Sequence, residues 1–188
     1  PIMQQKLLEL LSAQDYVSAV SMAEKFNATE LAELLKNPQI IEHSAFLQEL
    51  DFDLFCAALA MLVQERTFGR LKPLLSTLHA TDLAKLFERI SQSEIPLLFR
   101  ILPKDLAAET FVEMDGDLKE LLIARLNDKE LRAVMDELFL DDTVDVIEEL
   151  PASVVKRMLA QSDSETRAYI NEILKYPKDS AGSIMTIE

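Results

Sequence analysis

Leu78, Leu102, Leu126 and Leu150 stand 24 residues apart, and each closes an apolar run. Three of them are followed at once by a residue that starts or stops helices: Pro103, Asn127 and Pro151. Midway between lie Ile90-Ser91 and Met114-Asp115, again apolar and then capping, so the beat is about 12 residues. That is room for one short helix and its corner. Self-similarity at a fixed period predicts a stacked helical array. Helices of about ten residues are marginal alone in water, so each must bury its stripe against its neighbours.

Composition agrees with an all-α chain. Only three glycines occur in 188 residues, Trp is absent, and 49% of the residues are apolar, enough for a full core. Helix starts are marked locally. Asn27 with Glu30, Ser91 with Glu94, Asn127 with Glu130 and Ser162 with Glu165 all have the spacing of a capping box. Asn37-Pro38 places a cap before a proline at the first helical position and predicts a fourth helix running to about Leu50. The segment from Asp53 to about Glu65 is apolar nearly all round and predicts the most buried helix. Arg66 to Gly69 reads as a corner. Ala28-Thr29-Glu30-Leu31-Ala32 is similar to Ala80-Thr81-Asp82-Leu83-Ala84, so the array either begins before Leu78 or the likeness is that of any two Leu/Ala-rich helices. With no Gly/Ser-rich linker, one continuous array is expected.

The net charge is −14, the wrong sign for nucleic acid or for an anionic membrane surface. The lone Cys56 lies in an apolar run and reads as a structural thiol in a reducing compartment. The longest apolar run, Phe52 to Val63, contains Asp53 and is too short to span a bilayer. Catalysis finds little support, because His43 and His79 lack metal-ligand spacing and no glycine-rich loop is present. Met61, Met114, Met135 and Met158 read as core fillers.

The anomaly is acidic. Between Pro103 and Leu150 stand 15 acidic residues against 5 basic, most of the chain's negative balance. The sharpest cluster is Asp141-Asp142, with Asp145 four residues beyond Asp141 and therefore on the same helix face. The plain reading makes Asp141 a helix cap and the others first-turn acids, favoured there by the macrodipole. The functional reading is an oxygen-only site for Mg2+ or Ca2+, shared with a partner domain.

The stretch Leu174-Lys175-Tyr176-Pro177-Lys178-Asp179-Ser180-Ala181-Gly182-Ser183-Ile184-Met185-Thr186 resembles the junction that joins the helical N domain of MgtE-type magnesium transporters to their first CBS domain. Leu102-Pro103-Lys104-Asp105-Leu106-Ala107-Ala108-Glu109, Leu140-Asp141-Asp142, Glu148-Glu149-Leu150-Pro151 and Thr81-Asp82-Leu83-Ala84 resemble the N domain itself. The resemblance implies a right-handed, armadillo-like superhelix of short antiparallel helices. It divides the chain into an N-terminal extension (1–69), an N domain (70–175) and a linker into a CBS domain (176–188). It further implies a non-catalytic, Mg2+-sensing domain on the cytoplasmic face of a membrane, packed on CBS domains of the same polypeptide in a homodimeric transporter. Its membrane domain would lie elsewhere in the polypeptide, and nucleic acid is no partner. In that family Mg2+ bridges acidic residues of the two domains and favours the closed pore. By motif the Mg2+ ligands are Asp141, Asp145, Glu109 and Asp142, with binding expected to be weak without the CBS region. Leu140 stands where the family often has proline, which shifts the expected helix start. The rival reading is an α-repeat scaffold that binds a protein partner and senses no ion.

Overall fold

The computed structural model describes residues 2–175, and among these there is no strand. The chain forms two compact units, Pro1–Glu94 and Ile95–Glu188. The first holds α1 (Ile2–Ser12), α2 (Tyr16–Ala23), α3 (Ala28–Leu35), a 3-10 helix η1 (Pro38–Glu42), α4 (Ser44–Glu49), α5 (Phe52–Gln64), α6 (Phe68–Leu75) and α7 (Ala80–Phe87). The second holds α8 (Ile95–Ile101), α9 (Lys104–Glu113), α10 (Gly116–Arg125), α11 (Asp128–Glu137), α12 (Leu140–Glu149), α13 (Ala152–Ala160) and α14 (Ser164–Ile173). The expected linker and entering strand after Tyr176 lie outside the described residues.

The beat is real and sets the helix starts. The residues at the N-caps of α9 to α14 are Pro103, Asp115, Asn127, Phe139, Pro151 and Asp163, each 12 after the last. In the first unit Asp15 and Asn27 are likewise 12 apart, as are Thr67 and His79. The two similar pentapeptides open α3 and α7 in the same register. Leu31, Ala32, Leu34 and Leu35 are buried in one, and Leu83, Ala84, Leu86 and Phe87 in the other. The repeat therefore extends upstream of Leu78. Leu78, Leu102, Leu126 and Leu150 are all buried at corners.

Side-chain ties across the array join residues about 30 apart, which is two and a half beats. In the first unit Lys36 meets Glu65 at 2.8 Å, and Gln48 donates to the Thr77 carbonyl at 3.4 Å. In the second, Arg100 grips Glu130 through Nε at 2.6 Å and also donates to the Arg125 carbonyl at 3.3 Å. Arg157 donates to the carbonyls of Ile123 and Leu126 and to Asp128. Two arginines, from α8 and α13, thus satisfy the orphan carbonyls at the C-terminal end of α10, where cations are favoured.

Several local expectations need correction. The fourth helix is two pieces. Asn37 caps η1 as expected, accepting from the Gln39 N–H at 3.0 Å, but the helix breaks at His43, whose φ of −107° and ψ of 59° are not helical. Asn27/Glu30 and Asn127/Glu130 form full capping boxes. Ser91/Glu94 does not: Ser91 pairs with Ser93 through their hydroxyls, and α8 starts only at Ile95. Residues 88–94 are the longest stretch outside helices among those described, and the boundary between the two compact units falls at its end. Ser162 also fails as a cap, because Asp163 takes that place and accepts the Thr166 N–H at 2.6 Å. The corner before α6 turns on Arg66, which has a positive φ of 58°. Met114, Met135 and Met158 are buried, whereas Met61 is half-exposed and accepts a hydrogen bond from the Thr29 hydroxyl at 3.8 Å. Cys56 is buried, and burial pushes its thiol pKa up to about 11, so the thiolate nucleophile is suppressed.

Candidate functional site

The acidic cluster stands on α12. Val144, Val146, Ile147 and Thr143 are buried and fix the rotation of this helix, so Asp141 and Asp145 are left exposed on its outer face. Asp142 is half-buried beside them. Thr143 anchors the helix start, donating through its hydroxyl to the Phe139 carbonyl at 3.0 Å.

Asp141 is not the cap that its position suggested. The apolar Leu140 continues the helix one residue earlier, so the N-cap position falls to Phe139, whose side chain makes no capping bond. Asp141 is the second helical residue, and its carboxylate accepts the Asp142 N–H at 3.1 Å from inside the first turn. It still meets the positive end of the helix, with Asp142 next to it.

Electrostatically the cluster is unrelieved. Partial burial raises the Asp142 carboxyl above its ordinary value, and the charges of Asp141, Asp145 and Glu113 raise it further. Among the described residues none of Asp141, Asp142, Asp145 and Glu113 is ion-paired to a lysine or arginine. Like charges held together in this way favour protonation or a bound cation.

Glu113 was not singled out from sequence. It closes α9, and it is the acid of that helix that acts on Asp142. Glu109 is exposed on α9 one turn earlier, four residues away and so on the same helix face as Glu113. A signal for Glu113 does exist: it precedes Asp142 by 29 residues, the separation of the ties that stitch the array.

Among the described residues no three His, Cys, Asp or Glu side chains converge closely enough to hold a metal ion. His43 is half-buried and hydrogen-bonded to the Tyr16 hydroxyl at 3.1 Å, and His79 is exposed at the N-cap of α7. The α9–α12 carboxylates can therefore offer a hydrated divalent cation one or two oxygens. Mg2+ accepts such an arrangement because it keeps several of its waters. Among the described residues no helix is long and apolar enough to cross a membrane.

Solved structures share the fold, two of them cytosolic or soluble parts of magnesium transport proteins. One is the cytosolic domain of the Mg2+ channel MgtE in complex with ATP. It is 27% identical, superposes with a TM-score of 0.62, and the match covers 70% of this chain and 54% of that one. The other is the soluble part of a magnesium transporter, 20% identical, with a TM-score of 0.62 over 72% of this chain and 54% of that one. The chain thus spans about half the length of the solved chains it matches. No curated protein matches the sequence. The family model of the MgtE intracellular N domain matches residues 78–179, more than half of the chain. On this match the chain belongs to the family of MgtE intracellular N domains.

Proposed function

We propose that this chain is the Mg2+-sensing regulatory part of a magnesium transporter, acting without catalysis at the cytoplasmic face of the membrane. Residues 70–175 form its N domain, 1–69 extend the array, and 176–188 lead into CBS domains of the same polypeptide. The transporter is a homodimer, and its membrane domain lies elsewhere in that polypeptide. Low Mg2+ leaves the acidic face of α12 repelling the CBS surface. Mg2+ bridging Asp141, Asp142 and Asp145 to that surface brings the domains together and favours the closed pore. Ion binding and closure are then coupled reciprocally.

The observation that carries this reading is the grouping of Asp141, Asp142 and Asp145 at the start of α12, two of them exposed and Asp142 half-buried between them. Burial and the charges of Asp141, Asp145 and Glu113 raise the Asp142 carboxyl in the same sense. Glu113 joins Asp142 as the contribution of α9, and Glu109 lies one turn beyond it as the outer acid. A divalent ion relieves this repulsion more effectively than a monovalent one, because one bound ion brings two charges and answers two carboxylates.

The test uses the full-length polypeptide. Mg2+ should protect the Tyr176–Thr186 junction from proteolysis, and the double substitution Asp141→Ala with Asp145→Ala should raise the Mg2+ concentration required by about tenfold or more. The chain without the CBS region should bind Mg2+ weakly. Wild-type protection in the double variant would reduce these aspartates to first-turn acids and favour the ion-independent scaffold.

A further inference from the structure

The repeat exposes one substitution in its own pattern. At the recurring N-cap position of α9 to α14 the residues are Pro, Asp, Asn, Phe, Pro and Asp. Three of these, Asp115, Asn127 and Asp163, bond a free N–H through their side chains, and two are prolines, which fix φ at the corner. Phe139 does neither: it makes no capping bond, and it stands 77% exposed. Its neighbours Leu138 and Leu140 are only half-buried, so three consecutive apolar residues reach the surface at one corner. Runs of this kind are unfavourable in water unless something covers them.

The backbone of the corner is hydrogen-bonded, and acidic residues flank it along the chain. The Phe139 carbonyl accepts both the backbone N–H and the hydroxyl of Thr143, each at 3.0 Å. Asp136 and Glu137 precede the run, and Asp141 and Asp142 follow it. An apolar tip at the centre and carboxylates around it is the layout of an interface core with a polar rim. A large aromatic offers much apolar area for few side-chain torsions lost on burial, which is one reason aromatics are enriched in such contacts.

The occupant follows from position and tether. The tip adjoins the Asp141–Asp145 face, and the solved relatives carry about as much chain again beyond the part matched here. We infer that Phe139 is the apolar anchor of the acidic docking face, seated on closure in an apolar socket of the CBS region of the same polypeptide. This inference rests on the docking proposed above and divides its labour. The carboxylates and Mg2+ decide when closure occurs, and burial of Phe139 supplies ion-independent affinity once it does.

The experiment uses the full-length polypeptide and three variants. Phe139→Ser should raise the Mg2+ midpoint for protection of the junction by about tenfold, while leaving thermal unfolding of the N domain unchanged or later, because serine suits a cap. Val17→Ser, which removes an apolar residue 84% exposed on α2, should leave the midpoint unchanged. Phe139→Trp introduces an indole at the tip, and the emission that it adds to that of the parent polypeptide should shift to the blue as Mg2+ is added. A wild-type midpoint in Phe139→Ser, an equal effect of Val17→Ser, or emission from the indole that stays that of a water-exposed ring would each overturn the anchor. Failure of the sensing reading is separate: it shows as wild-type Mg2+ response in the Asp141/Asp145 double variant, whatever Phe139→Ser does.

Discussion

Lys119 on α10 places its ammonium 2.7 Å from the Glu149 carboxylate on α12, with the lysine side chain 3% exposed and the glutamate 48%. A lysine taken out of water requires a partner, and no other ion pair reaches it among the described residues. The asymmetry of burial sets the asymmetry of the prediction. Glu149→Gln should cost about 1.5–3 kcal/mol in chemical denaturation, the value of a charge-assisted hydrogen bond, because the buried ammonium is left with a weaker acceptor. Lys119→Met should be close to neutral, since a chain of similar volume removes the charge along with its need for a partner. Equal costs for the two would mean that the lysine escapes to solvent when Glu149 is lost.

Leu126 reports on the beat itself. It is 3% exposed at the C-terminal end of α10, where Arg157 bonds its carbonyl at 2.5 Å. Leu126→Ala should cost about 2–5 kcal/mol, as for other buried leucines. A loss under about 0.5 kcal/mol would show that the recurring leucines mark corners without supporting the core.

How far the sequence could be read follows from what each signal depends on. The Leu beat and the Asn27 and Asn127 boxes were legible because caps and apolar stripes act within one turn of the chain. The Ser91 box was not, because Ser91 and Ser93 pair with each other, and that choice leaves no sequence mark. Asp141 was misplaced by two positions, from the N-cap to the second helical residue, because Leu140 is compatible with both a corner position and the first helical one. Glu113 was missed because its meeting with Asp142 depends on how helices stack, which spacing along one helix cannot show. Phe139 was in plain view at the recurring N-cap position of the beat, and only its exposure separates it from a buried corner residue such as Leu126.

Gly69 offers a simple test of helix energetics in α6. A Cβ there would meet nothing within 4 Å, and the residue has no positive φ. Gly69→Ala should therefore stabilise the protein by about 0.4–1 kcal/mol, chiefly by restricting the unfolded chain. A destabilised variant would mean that the start of α6 needs glycine's freedom in the unfolded or folding chain.

Acid pH should separate two carboxylates with opposite shifts. The Arg100 guanidinium lowers the Glu130 carboxyl, helped by the Asn127 N–H. A depressed folded value contributes stability above the unfolded value of about 4.3, and that stability is lost as pH falls through the folded value. Arg100→Gln should therefore destabilise by about 1 kcal/mol at neutral pH, as for a partly exposed ion pair, and the difference from wild type should shrink as pH falls below about 4. A difference that stays constant down to the lowest folded pH would assign the loss to the Arg125 carbonyl, which Arg100 also bonds.

Asp142 runs the other way, and it joins stability to the proposed function. Its folded value is raised, first by burial and then by Asp141, Asp145 and Glu113. The sign follows: the stability linked to its proton is fully present below the unfolded value of about 3.9 and is lost as pH rises through the folded value. At neutral pH an ionised Asp142 is a net cost to the fold. Asp142→Asn keeps the shape and removes the charge, so the variant should melt later than wild type at pH 7, and the two should converge as pH falls below about 4. Mg2+ offsets the same cost by a different route, so adding it should raise the melting temperature of wild type more than that of the variant. Mg2+ binding should also release protons near the raised value, because the cation and the proton compete for one carboxylate. Equal Mg2+ stabilisation of both proteins would remove Asp142 from the ion's surroundings. A variant less stable than wild type at pH 7 would show that Asp142 is held there by the helix start and that the charges around it cost the fold nothing.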